Sequence, residues 1–244
     1  ALDGVSLTLN EGDFVTVIGG NGAGKSTMLN AAAGTFFVDS GTIEIGGKDV
    51  TRLSEAKRAA HLGRVFQDPM MGTCADMWIE ENLALAKRRG KVRGLGWSIT
   101  SKERAEYREM LAQLELGLED RLSTKVGLLS GGQRQALTLL MATMNHPKLL
   151  LLDEHTAALD PKTAEKVLNL SDRIIREDNL TALMVTHNMK DAIAHGNRLI
   201  MMNAGKIILD VSGEEKKALT VDSLLAAFSK VSGSEFANDR ALLS

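Results

Sequence analysis

The stretch Gly19-Gly20-Asn21-Gly22-Ala23-Gly24-Lys25-Ser26-Thr27 decides how this chain folds, because it matches the pattern G-x-x-x-x-G-K-[ST]. The apolar run Phe14 to Ile18 before it is typical of a buried strand, and Met28 to Ala33 after it is typical of a helix that ends at Gly34. Glycines permit the tight turns that let successive backbone N–H groups converge on phosphate oxygens. The stretch therefore predicts a phosphate-binding loop between a strand and a helix.

Lys25 and Ser26 carry the predicted side-chain contacts of this loop. The motif places Lys25 against the β- and γ-phosphates of a nucleotide and the Ser26 hydroxyl on Mg²⁺. The helix that follows points its positive N-terminal end at the same anion. A glycine-rich turn that happens to contain a lysine is the alternative, and the flanking strand and helix argue against it. The other residues predicted to contact the nucleotide in this loop are Gly19, Asn21, Gly22, Ala23, Gly24 and Thr27.

The composition is that of a globular protein with one large core. The chain has 244 residues, of which 44% are hydrophobic and 25% charged, enough for one domain with an inserted subdomain. Its formal net charge of −2 gives no electrostatic footprint for broad nucleic-acid binding. The single cysteine, Cys74, excludes an intramolecular disulfide, which fits a reducing cytosol. No run of about 18 apolar residues predicts a membrane span.

A second predicted strand ends in two acidic residues. Leu149 to Leu152 is apolar on both faces, as in the centre of a covered parallel sheet, and Asp153 and Glu154 follow it. In a doubly wound sheet the ligand binds at the carboxyl ends of the strands, where the phosphate loop also lies. Asp153 is predicted to hold Mg²⁺ through its water shell. Glu154 lies across the pleat or just beyond the strand end, where it can accept a proton from an attacking water.

The run Leu129-Ser130-Gly131-Gly132-Gln133, between these two motifs, gives the chain its family resemblance. With the Walker A-like loop and the Walker B-like strand, it resembles the signature sequence of the ATP-binding-cassette (ABC) ATPases. Ser130, the amides of Gly131 and Gly132, and Gln133 stand at a helix N-terminus, where they can bind a second set of γ-phosphate oxygens.

Other positions match the family one at a time. Gln67 resembles the Q-loop glutamine, which touches Mg²⁺ or the attacking water, and His187 resembles the switch histidine that contacts the γ-phosphate. Ala158-Leu159-Asp160 resembles the D-loop that crosses to the other subunit. His155 stands where the family usually has proline. We expect its turn to survive with less rigidity, and we assign His155 no catalytic role.

The adenine-binding residue has no match. The family's adenine-stacking aromatic normally lies on a strand well before the phosphate loop, in a stretch that would precede Ala1. We therefore expect the natural chain to begin further upstream. Phe14 is a weaker candidate for stacking than for the core.

The predicted fold is α/β: a P-loop NTPase core of mostly parallel sheet and flanking helices, with an antiparallel β layer and an inserted helical subdomain. The resemblance implies a single ABC ATPase domain over residues 1–244. Residues 1–67 and 146–210 form its RecA-like core, 68–145 the helical subdomain with the signature sequence, and 211–244 a C-terminal tail. Val5 to Leu9 is also predicted to be a strand, because its apolar residues alternate.

The resemblance implies an ATP-hydrolysing subunit that powers a membrane transporter. Two copies would pack head to tail, with each ATP and its Mg²⁺ between the Lys25 loop of one chain and the Ser130 loop of the other. Implied partners are integral membrane permease subunits and an extracytoplasmic substrate-binding protein, at the cytoplasmic face of the cell membrane. Because no membrane domain is fused to the chain, a bacterial importer is favoured, with some likeness to amino-acid uptake systems. No nucleic-acid partner is expected.

Two other functions remain as alternatives. A soluble cassette ATPase acting on ribosomes or DNA would be expected to carry a long coiled coil, a second cassette or a basic extension, and the sequence has none of these. A phosphate-transferring kinase leaves the Ser130 loop unexplained.

Two surface features also remain open. Met70, Met71, Met77 and Trp78 form either an adaptable docking groove for a membrane-subunit helix or ordinary subdomain packing. The basic stretch from Lys87 to Arg93 meets lipid headgroups or a partner, or is a solvated connector.

Overall fold

A computed structural model describes residues 2–91 and 99–232 and contains a six-stranded sheet and a two-stranded one. The strands are Phe14–Ile18 (β1), Glu44–Ile45 (β2), Lys48–Asp49 (β3), Leu62–Val65 (β4), Leu149–Asp153 (β5), Ala182–Val185 (β6), Arg198–Asn203 (β7) and Lys206–Ser212 (β8). The large sheet has the order β4-β5-β6-β1-β7-β8. Its first five strands are parallel, and β8 pairs antiparallel with β7. The small sheet is an antiparallel hairpin, β2 against β3.

Helices cover both faces of the large sheet. They are Lys25–Ala33 (α1), Glu55–Arg58 (α2), Ile79–Lys87 (α3), Ser101–Ala112 (α4), Gly131–Thr143 (α5), Pro161–Glu177 (α6), Met189–Ala194 (α7), Gly213–Lys217 (α8) and Val221–Ser232 (α9), with a 3-10 turn at Val126–Leu128. Thr100 and Glu103 form a reciprocal capping box at the start of α4. Among these helices, none combines the length and the apolar character that crossing a membrane requires.

The central strands are buried on both faces, as their unbroken apolar runs predict. All five residues of β1 are buried, and Leu150, Leu151 and Leu152 of β5 are fully inaccessible. On one face Leu150 and Leu152 join a core with α3, α4, α5 and α6. On the other face Leu151 joins a core with α1 and the β2–β3 hairpin. The predicted mostly parallel α/β fold, with an antiparallel part, is confirmed.

The structure differs from two local expectations. Val5 to Leu9 alternates between half-buried and exposed residues, but it is not a strand. Alternation reports which side chains are covered, whereas a strand also needs a backbone ladder, and the Thr8 carbonyl instead accepts from Arg198 Nη1. At the other end, β8 runs to Ser212, past the boundary predicted at 210, and Leu224 and Phe228 of α9 are buried. Residues 92–98 and 233–244, including part of the basic stretch, lie outside the described residues.

Arg58 fixes the end of α1 that lies away from the phosphate loop. Its side chain is fully buried, and its guanidinium donates to the carbonyls of Ala31, Ala32, Thr51 and Leu53, at 2.6 to 3.0 Å. The last carbonyls of a helix have no intrahelical donor and carry partial negative charge. A buried cation at this end therefore donates hydrogen bonds to these carbonyls and neutralises their charge. Arg58 thereby holds α1 in place from its C-terminal end.

Replacing Arg58 with methionine is expected to lower the free energy of unfolding by about 3 kcal/mol, because four carbonyls lose a hydrogen bond from a buried guanidinium. Urea unfolding followed by circular dichroism measures the change. Arg52 is exposed and six residues earlier, so Arg52→Met serves as the control and should shift stability by about 0.5 kcal/mol or less. Equal stability of the two variants would show that the Arg58 contacts contribute little.

Candidate functional site

The strand order brings four of the sequence motifs to one edge of the sheet. β4, β5, β6 and β1 are consecutive and parallel, so their carboxyl ends lie side by side. Gln67 follows β4, Asp153 and Glu154 end β5, His187 follows β6, and the Gly19 loop follows β1. Residues from four distant parts of the chain therefore form one site.

The loop from Gly19 to Gly24 is shaped by backbone that other residues cannot easily adopt. Gly19 has a φ of 153°, and a Cβ added there would lie 2.3 Å from the Met202 carbonyl oxygen. The first helical bond of α1 runs from Met28 N to Gly24 O, so the amides of Ser26 and Thr27 precede the hydrogen-bond ladder of the helix. These amides form the positive end of α1 and can receive an anion.

Lys25 lies within this loop. Its side chain is buried, and Nζ donates to the carbonyls of Gly19 at 2.7 Å and Gly20 at 3.1 Å. The ammonium group therefore both ties the two ends of the loop together and places a positive charge against it. Asn21, Gly22 and Ser26 are exposed at the loop surface, whereas Ala23 is buried.

Glu154 and His187 are in direct contact. His187 Nε2 lies 2.6 Å from Glu154 Oε1, and a carboxylate can only accept, so Nε2 carries the proton. The Glu154 side chain is 13% exposed and that of His187 is 34% exposed. Glu154 has a φ of +47°, a left-handed conformation uncommon for a non-glycine residue, and its amide donates to Val185 O of β6. This backbone turns the carboxylate out of β5 towards the end of β6.

The predicted magnesium ligands are oxygen donors. Ser26 offers a hydroxyl at the start of α1, Asp153 a carboxylate at the end of β5, and Gln67 an exposed amide after β4. In the described part of the chain no three His, Cys, Asp or Glu side chains cluster in a way that could hold a metal ion. Mg²⁺ typically keeps several waters and uses one or two protein carboxylates plus substrate phosphates. The donor set present here fits that mode of binding.

The signature sequence begins α5 and packs against the start of α6. Ser130 Oγ accepts from Gln133 N, and Gln133 Oε1 accepts from Ser130 N, a reciprocal cap. A Cβ added at Gly132 would lie 2.3 Å from Thr163 Cγ2, so a larger residue there would require Thr163 to change rotamer or α5 and α6 to separate. Ser130 and Gly131 are exposed.

Asp160 lies beside this contact. Its Oδ1 accepts from Thr163 N and so caps α6. Hydrogen bonds from Thr163 hold the pKa of this carboxyl below its usual range. The predicted residues of the Ser130 loop and of the D-loop-like turn therefore lie at two adjacent helix starts.

Two residues near the site were missed by the motif-based predictions. Arg64 of β4 reaches Asp153 of β5, with Nη2 and Oδ2 3.3 Å apart. Gln135 of α5 is fully buried and donates to the Phe66 carbonyl, immediately before Gln67. Each of these two side chains is charged or carries an amide and stands in an otherwise apolar, buried stretch. Because a buried polar group needs a specific partner, that pattern could have identified both residues.

His155, the residue after Glu154, has a buried side chain that contacts α6. Its side chain is 2% exposed, and Nε2 lies 2.9 Å from Ser171 Oγ on α6. Ser171 Oγ donates its own proton to Val167 O, so His155 Nε2–H donates to Ser171. Burial, with the nearby His195 as a second cause, lowers the pKa of His155 to about 4. The turn that follows Glu154 is present, and a neutral His155 ties it to α6.

This buried histidine predicts a loss of stability in acid. Between the ordinary histidine pKa of 6.5 and the lowered value of about 4, the unfolded chain binds a proton that the folded chain does not. The neutral His155 therefore makes its full contribution to the free energy of unfolding above pH 6.5. Between pH 7 and pH 5 this contribution should fall by about 2 kcal/mol. Urea unfolding of the wild type and of His155→Gln at both pH values measures it, and the variant should show the smaller pH dependence. His146→Gln, at an exposed position, is the control, and a pH dependence unchanged in His155→Gln would contradict the assignment.

The chain is similar to known transport ATP-binding proteins. A family described as ABC transporter matches residues 2–157. A tyrosine transport ATP-binding protein of Clostridioides difficile (strain R20291) is 47% identical over 226 residues, which cover 93% of this chain and 90% of that protein. A spermidine/putrescine import ATP-binding protein of Haemophilus ducreyi is 36% identical over 214 residues, 88% of this chain. This chain spans about half of that longer protein, 54%.

Two solved structures show the same fold. An ATP-binding cassette of an ABC transporter in its ADP conformation superposes with a TM-score of 0.76 at 29% identity, covering 93% of this chain and 92% of that one. A dimeric, post-hydrolysis cassette bound to ADP and Pi superposes with a TM-score of 0.71 at 30% identity, covering 86% and 90%.

Proposed function

Because this chain belongs to the ABC transporter family and is an ATP-binding ATPase of that family, we propose that it powers a bacterial solute importer through ATP-dependent pairing of two copies. The observation that carries this proposal is the single sheet edge that joins the Lys25 loop, the Asp153–Glu154 pair and His187, with His187 Nε2 2.6 Å from Glu154. Such an edge can bind a triphosphate and act on its terminal group.

Each residue of the edge has a proposed role. The loop amides and Lys25 bind the β- and γ-phosphates. Ser26 and Asp153 would hold Mg²⁺, and Gln67 would reach the ion or the attacking water. When bound, Mg²⁺ would neutralise charge that develops on the phosphate oxygens. Glu154 accepts a proton from the attacking water, and His187 holds the Glu154 carboxylate in place and contacts the γ-phosphate. The buried ammonium of Lys25 supplies positive charge that needs no reorganisation.

The second half of the site comes from another copy of the chain. Ser130, Gly131, Gly132 and Gln133 are at the N-terminus of α5, which is suited to bind anionic oxygens, and Ser130 and Gly131 are exposed. In a head-to-tail pair the exposed Ser130 loop and Asp160 of one copy would meet the ATP held by the other copy's Lys25 loop. The dimeric cassette bound to ADP and Pi supports this arrangement by analogy.

An exposed apolar surface supports a membrane partner. Met70, Met71, Trp78 and Leu128 expose between 41% and 73% of their surface and lie just after Gln67 or just before Ser130. Scattered exposed apolar residues are ordinary, but exposed methionines and a tryptophan close together in the sequence favour docking of a partner helix. We infer that a permease subunit docks here and holds the protein at the cytoplasmic face of the membrane, and that an extracytoplasmic substrate-binding protein supplies the cargo.

Amino-acid uptake is the proposed cargo class. The supporting observation is the 47% identity to the tyrosine transport protein, over nearly the whole length of both chains. Cargo is selected by the other subunits, so this assignment concerns the system in which the chain works. The division into a core (1–67 and 146–210), a helical subdomain (68–145) and a tail (211–244) is likewise part of the proposal.

Co-purification and reconstitution test the proposal. The chain is expressed with the permease and binding-protein genes beside its own, and ATPase activity is measured in proteoliposomes with and without tyrosine-loaded binding protein. Retention of the chain by the permease and stimulation by the loaded binding protein are expected. Stimulation by ribosomes or DNA, without retention by the permease, would contradict a transport role.

A further inference from the structure

Arg64 places a half-buried positive charge next to the predicted metal-binding carboxylate. Its side chain is 14% exposed, and it lies in β4 between Gly63 and Val65, both buried. Nη2 lies 3.3 Å from Asp153 Oδ2, and that carboxylate is 18% exposed. Removing a guanidinium from water is costly, so its placement in a buried strand requires compensating interactions.

The same guanidinium also reaches α1. Nη2 donates to Asn30 Oδ1 at 2.7 Å, and Asn30 lies one helical turn after Ser26, on the same side of α1. Arg64 thus joins the two elements that carry Ser26 and Asp153. The Phe66 ring lies 4.5 Å from the guanidinium carbon and supports the group by a cation–π contact.

The hydrogen bonding of Arg64 is incomplete. Nε is buried, and in residues 2–91 and 99–232 no group accepts from it. An unpaired buried donor carries a cost, and the guanidinium is held here by the side chains of Asp153, Asn30, Phe66 and, at 3.5 Å from Nη1, Thr35, rather than by backbone carbonyls. Arg58, whose guanidinium makes four bonds to carbonyls, is the contrasting case in the same chain.

We propose that Arg64 is a positioning residue that competes with a divalent cation for Asp153 and adds attraction for the nucleotide's phosphates. The proposal rests on the proposed role of Asp153 as a metal ligand. A fixed positive charge at the carboxylate lowers its attraction for a second cation and raises the local potential felt by a polyphosphate. Arg64 therefore makes nucleotide binding less dependent on metal.

Opposite changes in two affinities distinguish this role from a structural one. In Arg64→Met, ATP should bind about tenfold more weakly in EDTA, whereas Mn²⁺ should bind about tenfold more tightly at saturating ATP. Loss of local structure would weaken both. Arg64→Lys keeps the charge and should stay within about threefold of the wild type in both affinities. Lys57→Met, on the exposed surface of α2, removes a distant charge and is the matched control.

Binding measurements on the full chain provide the readout. A fluorescent ATP analogue is titrated in EDTA, and Mn²⁺ is titrated at saturating ATP with the free ion followed by electron paramagnetic resonance. If Arg64→Met unfolds, Arg64→Gln, which can still bond to Asn30, is measured in the same way. Weakening of both affinities, or no change in either, would overturn the proposal.

Asp153→Asn separates failure of this proposal from failure of the proposed function. Weaker Mn²⁺ binding in Asp153→Asn supports the metal role of Asp153, and Arg64→Met then decides the role of Arg64 alone. Unchanged Mn²⁺ binding in Asp153→Asn would overturn both the metal role of Asp153 and the competition by Arg64.

Discussion

Glu154→Gln is expected to lower ATP turnover about 10²- to 10⁴-fold while leaving ATP binding intact, because a general base contributes a factor of that size. Glutamine has nearly the shape of glutamate and can still accept a hydrogen bond from His187, 2.6 Å away, but its amide does not take a proton from water. The φ of +47° at this position strains both residues similarly. The variant should therefore bind ATP, pair with a second copy and stop before hydrolysis.

Steady-state phosphate release and size-exclusion chromatography with ATP measure the two expected effects. An ATP-stabilised dimer with little turnover is expected from Glu154→Gln. Glu177→Gln, on the exposed end of α6, is the control and should hydrolyse ATP at the wild-type rate. Wild-type turnover in Glu154→Gln would remove Glu154 from the role of base.

Lys25→Met is expected to remove most of the stabilisation that ATP gives the folded chain. At an ATP concentration about 100 times the wild-type Kd, binding adds about 2.7 kcal/mol to the free energy of unfolding. If the loss of the ammonium raises Kd about 100-fold, that gain falls to about 0.4 kcal/mol. Without nucleotide, the free energy of unfolding of the variant should itself fall by about 1 to 3 kcal/mol, because the Gly19 and Gly20 carbonyls each lose the hydrogen bond from Lys25 Nζ.

Urea unfolding with and without Mg²⁺ and ATP separates these two effects. The difference between the two curves measures the stabilisation by bound nucleotide. The curve without nucleotide measures how much the Lys25 hydrogen bonds within the loop stabilise the fold. Lys102→Met, at an exposed position on α4, should match the wild type in both. An undiminished ATP-dependent gain in Lys25→Met would exclude Lys25 from the phosphate site.

Sequence patterns predicted the elements and the chemistry at their ends more completely than the contacts between them. The phosphate loop, the Leu-rich strand and the signature helix are each predicted by a local sequence pattern, because burial and helix capping depend on a few neighbouring residues. The contact between Glu154 and His187 depends instead on β5 and β6 being neighbours in the sheet, which no local pattern states. The family resemblance supplied the expectation that these residues share a site.

Arg64 and His155 show why the rest could not be predicted. Arg64 lies in a short strand whose neighbour is almost ninety residues further along the chain, so its partner Asp153 follows only from the sheet order. The sequence pattern indicates only a turn residue at His155, in place of the family's usual proline, whereas the structure buries this side chain against Ser171. In both cases a polar side chain has a partner supplied by another element, and only the tertiary fold brings the two together.

The approach of Gly132 to Thr163 limits how sequences of this kind can diverge. A side chain at position 132 would collide with the Thr163 methyl group, so a gain in size there requires another Thr163 rotamer, a smaller residue at 163 or separation of the two helix starts. Separation would move the Ser130 cap and the Asp160 cap apart. The two loops are therefore expected to accept substitutions jointly, as one evolutionary unit, although more than two dozen residues separate them in sequence.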